Sequence, residues 1–174
     1  MTAAVNLATV GSNATTTGTL LTAGTAVTTT SGTSVAYTSI PSWVKRITMS
    51  FNGVSSSGSS NWQIQLGSGS YTASGYSGAW LYAGPGTVGG TGSTGFIFYH
   101  DTPSDVRSGS VVISLIDPTT NTWAGGGALG ISTSSYTHMT NFSVAISGVL
   151  DRIRITTVNG TDTFTGGKLN ILWE

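Results

Sequence analysis

Cysteine is absent from this chain and charge nearly so: six Lys and Arg and six Asp and Glu serve 174 positions. The first absence excludes a disulfide framework and thiolate chemistry, and leaves the redox compartment open. The second thins out whole classes of function. Catalysis, metal binding and nucleic-acid binding all draw on ionisable side chains, and zero net charge with a pI near 6.7 leaves no cationic footprint for DNA or RNA. Long apolar runs are missing too. The uncharged stretch up to Pro41 is Thr, Ser, Gly and Ala rather than Leu, Ile and Phe, so neither a signal peptide nor a membrane span is read there. These absences point to a binding or structural module rather than an enzyme, with no cofactor implied.

Nearly half of the residues present are Gly, Ser and Thr, among which five Trp, six Tyr and five Phe are spread. Disorder couples low hydrophobicity to high net charge or aromatic depletion, and neither holds here. The ordered signal has period two. In Trp43-Val44-Lys45-Arg46-Ile47-Thr48-Met49-Ser50-Phe51, one face carries Trp43, Ile47, Met49 and Phe51 and the other Arg46, Thr48 and Ser50. Asn61 to Leu66 alternates again, and Asn52-Gly53 with Ser55 to Ser60 reads as the loop between them. Apolar runs follow at 79–82, 96–99 and 111–116. Asp117 to Asn121 is turn chemistry and predicts a hairpin onto Trp123. Asn159-Gly160 is a two-residue hairpin signal, and Leu169, Ile171 and Trp173 align in a final strand. Nine or ten strands predict an all-β antiparallel sandwich, jelly-roll-like, over 35–174. Residues 1–34 hold no aromatic and no charge, and read as an extended arm ordered only by contacts outside its own sandwich.

Residues arranged for chemistry are few. No Gly-x-Ser-x-Gly elbow, Walker loop or dinucleotide fingerprint occurs, and Gly84 to Gly92 reads as a surface loop. His100, Asp101 and Asp105 form the one local cluster of ionisable groups. It is a candidate metal or acid–base site, or simply a strand end followed by a turn. Sequons at Asn13, Asn141 and Asn159 are expected by chance in so Ser- and Thr-rich a chain. Tyr71, Tyr76, Trp80 and Tyr82 lie among small residues, where rings can stack on sugar faces while hydroxyls and backbone groups bond to them. Core or subunit packing is the competing reading of those rings. Arg152 and Arg154, two apart on one strand, suit an acidic sugar, a solvated face or an ion pair at a subunit contact. A neutral glycan fits this chain better unless those arginines share the aromatic groove. Trp43 and Trp173 are expected in the core or a subunit contact.

Two segments carry a resemblance: Ile40 to Thr48 followed by Phe51 to Ser55, and Leu150 to Phe164 continuing through Gly167 to Glu174. They resemble a recurrent domain of bacteriophage and prophage structural proteins, often found at or near tail-fibre C-termini. The likeness extends over about residues 20–174 and is poor between 67 and 140, as for loops that vary with a partner. It implies homotrimers and brings no catalytic residues. The function expected from it is a trimeric tail-fibre or spike component on the virion surface that recognises a host envelope glycan. Such a protein is made in the host cytoplasm and released by lysis, with other virion proteins as partners, no nucleic acid and no membrane insertion. The alternative is a capsid decoration protein that clamps the head, which the short chain beginning at its own Met1 favours.

Overall fold

The computed structural model describes residues 21–174, all of them β-structure and connections, with no helix among the described residues. The described residues form fourteen strands, in chain order β1 (Thr22–Ala23), β2 (Val27–Thr28), β3 (Ser34–Thr38), β4 (Arg46–Ser56), β5 (Trp62–Ser68), β6 (Ser70–Tyr71) and β7 (Ser77–Ala83). There follow β8 (Val88–Thr91), β9 (Phe96–Phe98), β10 (Arg107–Asp117), β11 (Thr122–Ile131), β12 (Thr137–Ala145), β13 (Arg152–Thr157) and β14 (Phe164–Trp173). Every pairing is antiparallel. A nine-stranded sheet runs β1-β14-β4-β10-β11-β12-β7-β8 with β2 also on β14, and a five-stranded sheet runs β3-β13-β5-β6 with β9 on β5. The chain changes sheets from β3 to β4 to β5 and again from β12 to β13 to β14, whereas β10–β11–β12 is a plain meander.

Alternation explains which faces meet. Ile47, Met49, Ile113 and Ile171 from the large sheet, and Trp62, Ile64, Leu66, Ile153 and Ile155 from the small one, are all fully buried. Phe96, Phe98 and Phe164 fill the space between them. Side chains two apart on a strand share a face, so each sheet delivers its apolar set to a single interface.

Several sequence expectations are corrected. Strand β4 does not end at Phe51; it runs on to Ser56, and Asn52-Gly53 is a bulge rather than a loop. Register slips opposite this point on both neighbours, between Arg107 and Gly109 and between Gly166 and Lys168. Burial switches phase there, from Ile47, Met49 and Phe51 to Val54 and Ser56. Gly53 has φ +67° and Gly167 opposite it +92°. A Cβ on Gly167 would lie 2.4 Å from the Gly53 carbonyl oxygen, so the bulge needs both glycines. A positive-φ glycine serves turn and bulge alike, and here strands on both sides hold the chain extended. Asn159-Gly160 is a turn but joins no hairpin, because β13 is already flanked by β3 and β5 and the chain must cross to the other sheet. The Gly84–Gly92 stretch contains an edge strand, β8. The Asp117–Asn121 hairpin is as expected, with Asp117 Oδ1 accepting the Thr119 amide at 2.8 Å.

The expected arm boundary at residue 34 also moves. Thr22 and Ala23 pair with Trp173 and Leu172, and Val27 and Thr28 with Leu169 and Lys168 of the same chain. Thr29 is buried; its amide donates to the Gly167 carbonyl at 3.0 Å and its hydroxyl to that of Gly166. From Thr22 the segment thus belongs to its own large sheet, its backbone bonds standing in for the side-chain core it lacks. Residues 1–20 of the expected arm lie outside the described residues.

Candidate functional site

The four rings expected to form one groove are dispersed. Tyr76 is a core residue, 3% exposed, packed edge-on against Phe96. Its hydroxyl accepts from the Leu66 amide at 2.9 Å and donates to the Thr72 carbonyl at 3.2 Å. Burial pushes its pKa up to about 12. It cannot offer a ring to a ligand. Trp80 and Tyr82 stand on a strand rather than a loop, at alternate positions of β7 opposite Thr140 and His138 of β12. Tyr71 lies on the other sheet, in β6.

Trp80 and Tyr82 meet a residue not singled out from the sequence, Tyr99. Its ring stacks on Trp80 at 5.2 Å and 14° and on His138 at 6.0 Å and 12°, and Tyr82 tilts against it at 5.5 Å. Tyr136 closes on Tyr82 at 5.2 Å. Tyr99 also borders a shallow, open cavity of about 420 Å³ lined by Ser59, Ser60, Asn61, His100, Asp101 and Val158. Its phenol is held above its usual pKa by burial and by Asp101 beside it. The cavity floor is fixed: the Asn61 side-chain oxygen accepts the His100 amide at 2.8 Å, and the Ser60 amide donates to Asp162 at 3.0 Å. Asp162 is in turn bonded by Asn159 Nδ2 at 2.9 Å, and these bonds hold its carboxyl below the ordinary range. The arrangement is a hydroxyl-, amide- and carboxylate-lined hollow beside stacked aromatic rings.

The His100, Asp101 and Asp105 cluster is split in three directions. His100 turns inward, 1% exposed, with Nε2 2.9 Å from Ser56 Oγ and its ring 5.1 Å from Trp62. Asp101 is exposed at the cavity. Asp105 faces Arg107, Oδ2 to Nη2 at 3.4 Å, while its amide closes a turn onto Thr102. Among the described residues no group of three or more His, Asp or Glu is placed to hold a metal ion. Ser56 Oγ also accepts the Trp62 indole N–H at 3.0 Å and is itself buried, so the Ser56–His100 pair bridges core groups and presents no hydroxyl to the cavity.

Behind the cavity, Arg107 is fully buried with its guanidinium 4.7 Å from the Trp62 ring centre, and burial lowers its pKa to about 10. Burial, with Arg107 nearby, pulls His100 down to about 4 and His138 to about 3, so both rings are neutral at neutral pH.

The second group of expected residues does converge. Arg154 lies over the Tyr71 ring at 4.2 Å and Arg152 at 5.8 Å, on the outward face of the small sheet. Arg152 is paired with Asp151, Nε to Oδ1 at 2.7 Å and Nη2 to Oδ2 at 3.1 Å. Arg154 is held by Gln65 Oε1, which accepts from Nε at 2.9 Å and Nη2 at 2.7 Å. Trp173 packs against the core from the edge of β14. Trp43 does not: it is 45% exposed, in the turn before β4 begins. Ile116, 63% exposed, lies at the same end of the large sheet, beyond the Ser114–Arg46 pairing.

No protein-family model matches the chain, and no curated protein does. Among solved structures it is similar to scytalido-glutamic peptidase with a peptide-based transition-state analogue, at 13% identity and a TM-score of 0.25, covering 83% of this chain and 74% of that one. A second scytalido-glutamic peptidase structure, with a transition-state analogue inhibitor, gives 13% identity, a TM-score of 0.23 and coverage of 83% and 75%. Likeness at this level carries no argument about chemistry.

Proposed function

We propose that this chain is a non-enzymatic bacteriophage virion protein, a homotrimeric tail-fibre or spike component that recognises carbohydrate on the host surface. The observation that carries the recognition role is Tyr99, at once part of an aromatic stack with Trp80 and His138 and a wall of the polar cavity. Sugars are held by this pairing: a ring face packs on C–H surfaces while carboxylate, amide and hydroxyl groups take the sugar hydroxyls. The sequence resemblance at 40–55 and 150–174 supports the virion assignment, and the exposed apolar end at Trp43 and Ile116 supplies a surface for subunit contact.

Purified protein titrated with host envelope polysaccharide should bind, and Tyr99→Ala and Asp101→Ala should each weaken binding about tenfold or more. Full retention of affinity and of competitive inhibition of phage adsorption by both variants would remove the cavity from the function. The apolar end also favours a second reading, a capsid decoration protein permanently seated on the head. Copies per virion separate the two: tens or fewer for a tail appendage, hundreds for a decoration.

A further inference from the structure

Gln65 is the least expected participant on the outward face of the small sheet. It sits in β5 beside Arg154 of β13, in register, and is only 2% exposed. Its amide orientation is set by its other end, where Nε2 donates to the Thr94 carbonyl at 2.8 Å. The oxygen is thereby aimed at Arg154 and takes two of the five guanidinium hydrogens. Three N–H groups remain, among them the end-on pair from Nη1 and Nη2. The Tyr71 ring fixes the plane of the group. On the other side the register partner is Ala36, too small to cover it.

The charge balance is as informative as the geometry. Arg46, Arg107 and Arg152 each have a carboxylate, from Glu174, Asp105 and Asp151. Among the described residues none lies within ion-pair distance of Arg154, whose holder is a neutral amide. Lys45 and Lys168 are exposed, with water at hand, whereas Arg154 is half-buried. A guanidinium oriented by a buried amide, with its charge uncancelled and one donor fork open, is set up for a planar oxyanion.

We propose that Arg154, with Gln65 as its positioning residue and Tyr71 and Arg152 beside it, forms an oxyanion site that binds the carboxylates of an acidic polysaccharide. This site is separate from the cavity at Tyr99 and shares with the proposed function only the premise that the partner is a carbohydrate. The full chain is tested by affinity electrophoresis and calorimetry against polygalacturonate, dextran sulfate and neutral dextran. Wild type is expected to bind polygalacturonate with an affinity that falls as salt rises, and not to bind dextran at this face. Arg154→Gln should weaken polygalacturonate binding about 10- to 100-fold. Gln65→Glu should do the same by cancelling the charge in place, and Arg154→Met repeats the test without touching the buried amide should Gln65→Glu unfold. Arg152→Gln should have a smaller effect, since Asp151 already engages that group.

Tyr99→Ala should leave polygalacturonate binding unchanged, which keeps the two sites distinguishable. Tighter binding of dextran sulfate with the same variant sensitivity would overturn the carboxylate assignment in favour of sulfate. Unchanged polygalacturonate binding in the folded Arg154 variants, its loss in Tyr99→Ala, or no binding of either anionic polymer by wild type would each overturn the site.

Discussion

The cavity end and the outward face of the small sheet both use tyrosine, in opposite ways. At the cavity end Tyr99 and Tyr82 sit among Trp80, Tyr136 and His138, ring against ring, with the nearest cation, Arg107, buried beneath Trp62. On the small sheet Tyr71 meets no other ring among the described residues and instead supports two arginines. Strand order makes the difference. β7, β9 and β12 bring aromatic positions together where the sheets close over one another, whereas β6 and β13 meet on an open face where long cationic stems can lie flat. A chain with twelve Asp, Glu, Lys and Arg residues thus gains two chemically distinct surfaces from the same small set of rings.

The largest effect is expected where the core underlies the cavity end, at the ring packed on His100. Trp62→Ala takes away a fully buried indole, its bond to Ser56 and the ring covering Arg107. It should cost about 3–5 kcal/mol, read as a lowered urea midpoint. Near-equal stability would mean that the Arg107 end is far looser than its burial implies.

Acid comes next, because only the cavity end holds buried histidines. Facing His100 are Arg107, Asp101 and Asp162, and facing His138 are Arg107, Asp101, His100 and the Tyr82 and Tyr99 rings. Both histidines titrate below their ordinary 6.5 in the folded chain, at about 4 and about 3. The unfolded chain therefore binds protons first, and stability present above pH 6.5 is lost as pH falls towards 4. The loss at pH 5 should be on the order of 2 kcal/mol per histidine. Denaturation midpoints measured between pH 7 and 4.5 check this, and a flat profile would show that water reaches both rings. His138→Phe should remove about half of the slope.

Smaller effects are expected at the exposed and half-buried rings. Tyr99→Ala should cost less stability than Trp62→Ala, since its ring is only partly buried, yet weaken binding of host envelope polysaccharide at the cavity about tenfold or more. Trp43→Ser should shift monomer stability by no more than about 0.5 kcal/mol, because the side chain touches solvent. If Trp43 lies in a trimer contact, the same change should lower the association state seen by light scattering, and an unaltered trimer would place the contact elsewhere.

What could be read from the sequence follows the physics of each signal. The two-sheet sandwich was legible because alternation at Ile47, Met49 and Phe51, at Trp62, Ile64 and Leu66, and at Leu169 and Ile171 marks the face turned to the core, although in β5 the intervening Gln63 and Gln65 are buried too. The sites were less so. Tyr71 and Tyr76 look alike in sequence, and only pairing decides that one hydroxyl reaches the Leu66 amide while the other ring meets Arg154. Gln65 gave no warning: a polar residue on an outward strand position reads as solvated, and its burial comes from Thr94 and Arg154, distant in the chain. The segment at 22–29 misled because backbone pairing leaves no trace in side-chain composition.

The pairing of β4 with β14 sets the pace at which this molecule can form. Arg46 and Glu174, joined at the end of that ladder, stand 128 positions apart. The central strands of the large sheet cannot close until almost the whole described chain has been gathered, and loop closure over such separations is slow. Refolding is therefore expected in milliseconds to seconds rather than microseconds. Until β14 arrives, one edge of β4 stays open, offering its backbone to the β14 of another copy. Early encounters between chains at high concentration would then choose between the native sheet and an exchanged one.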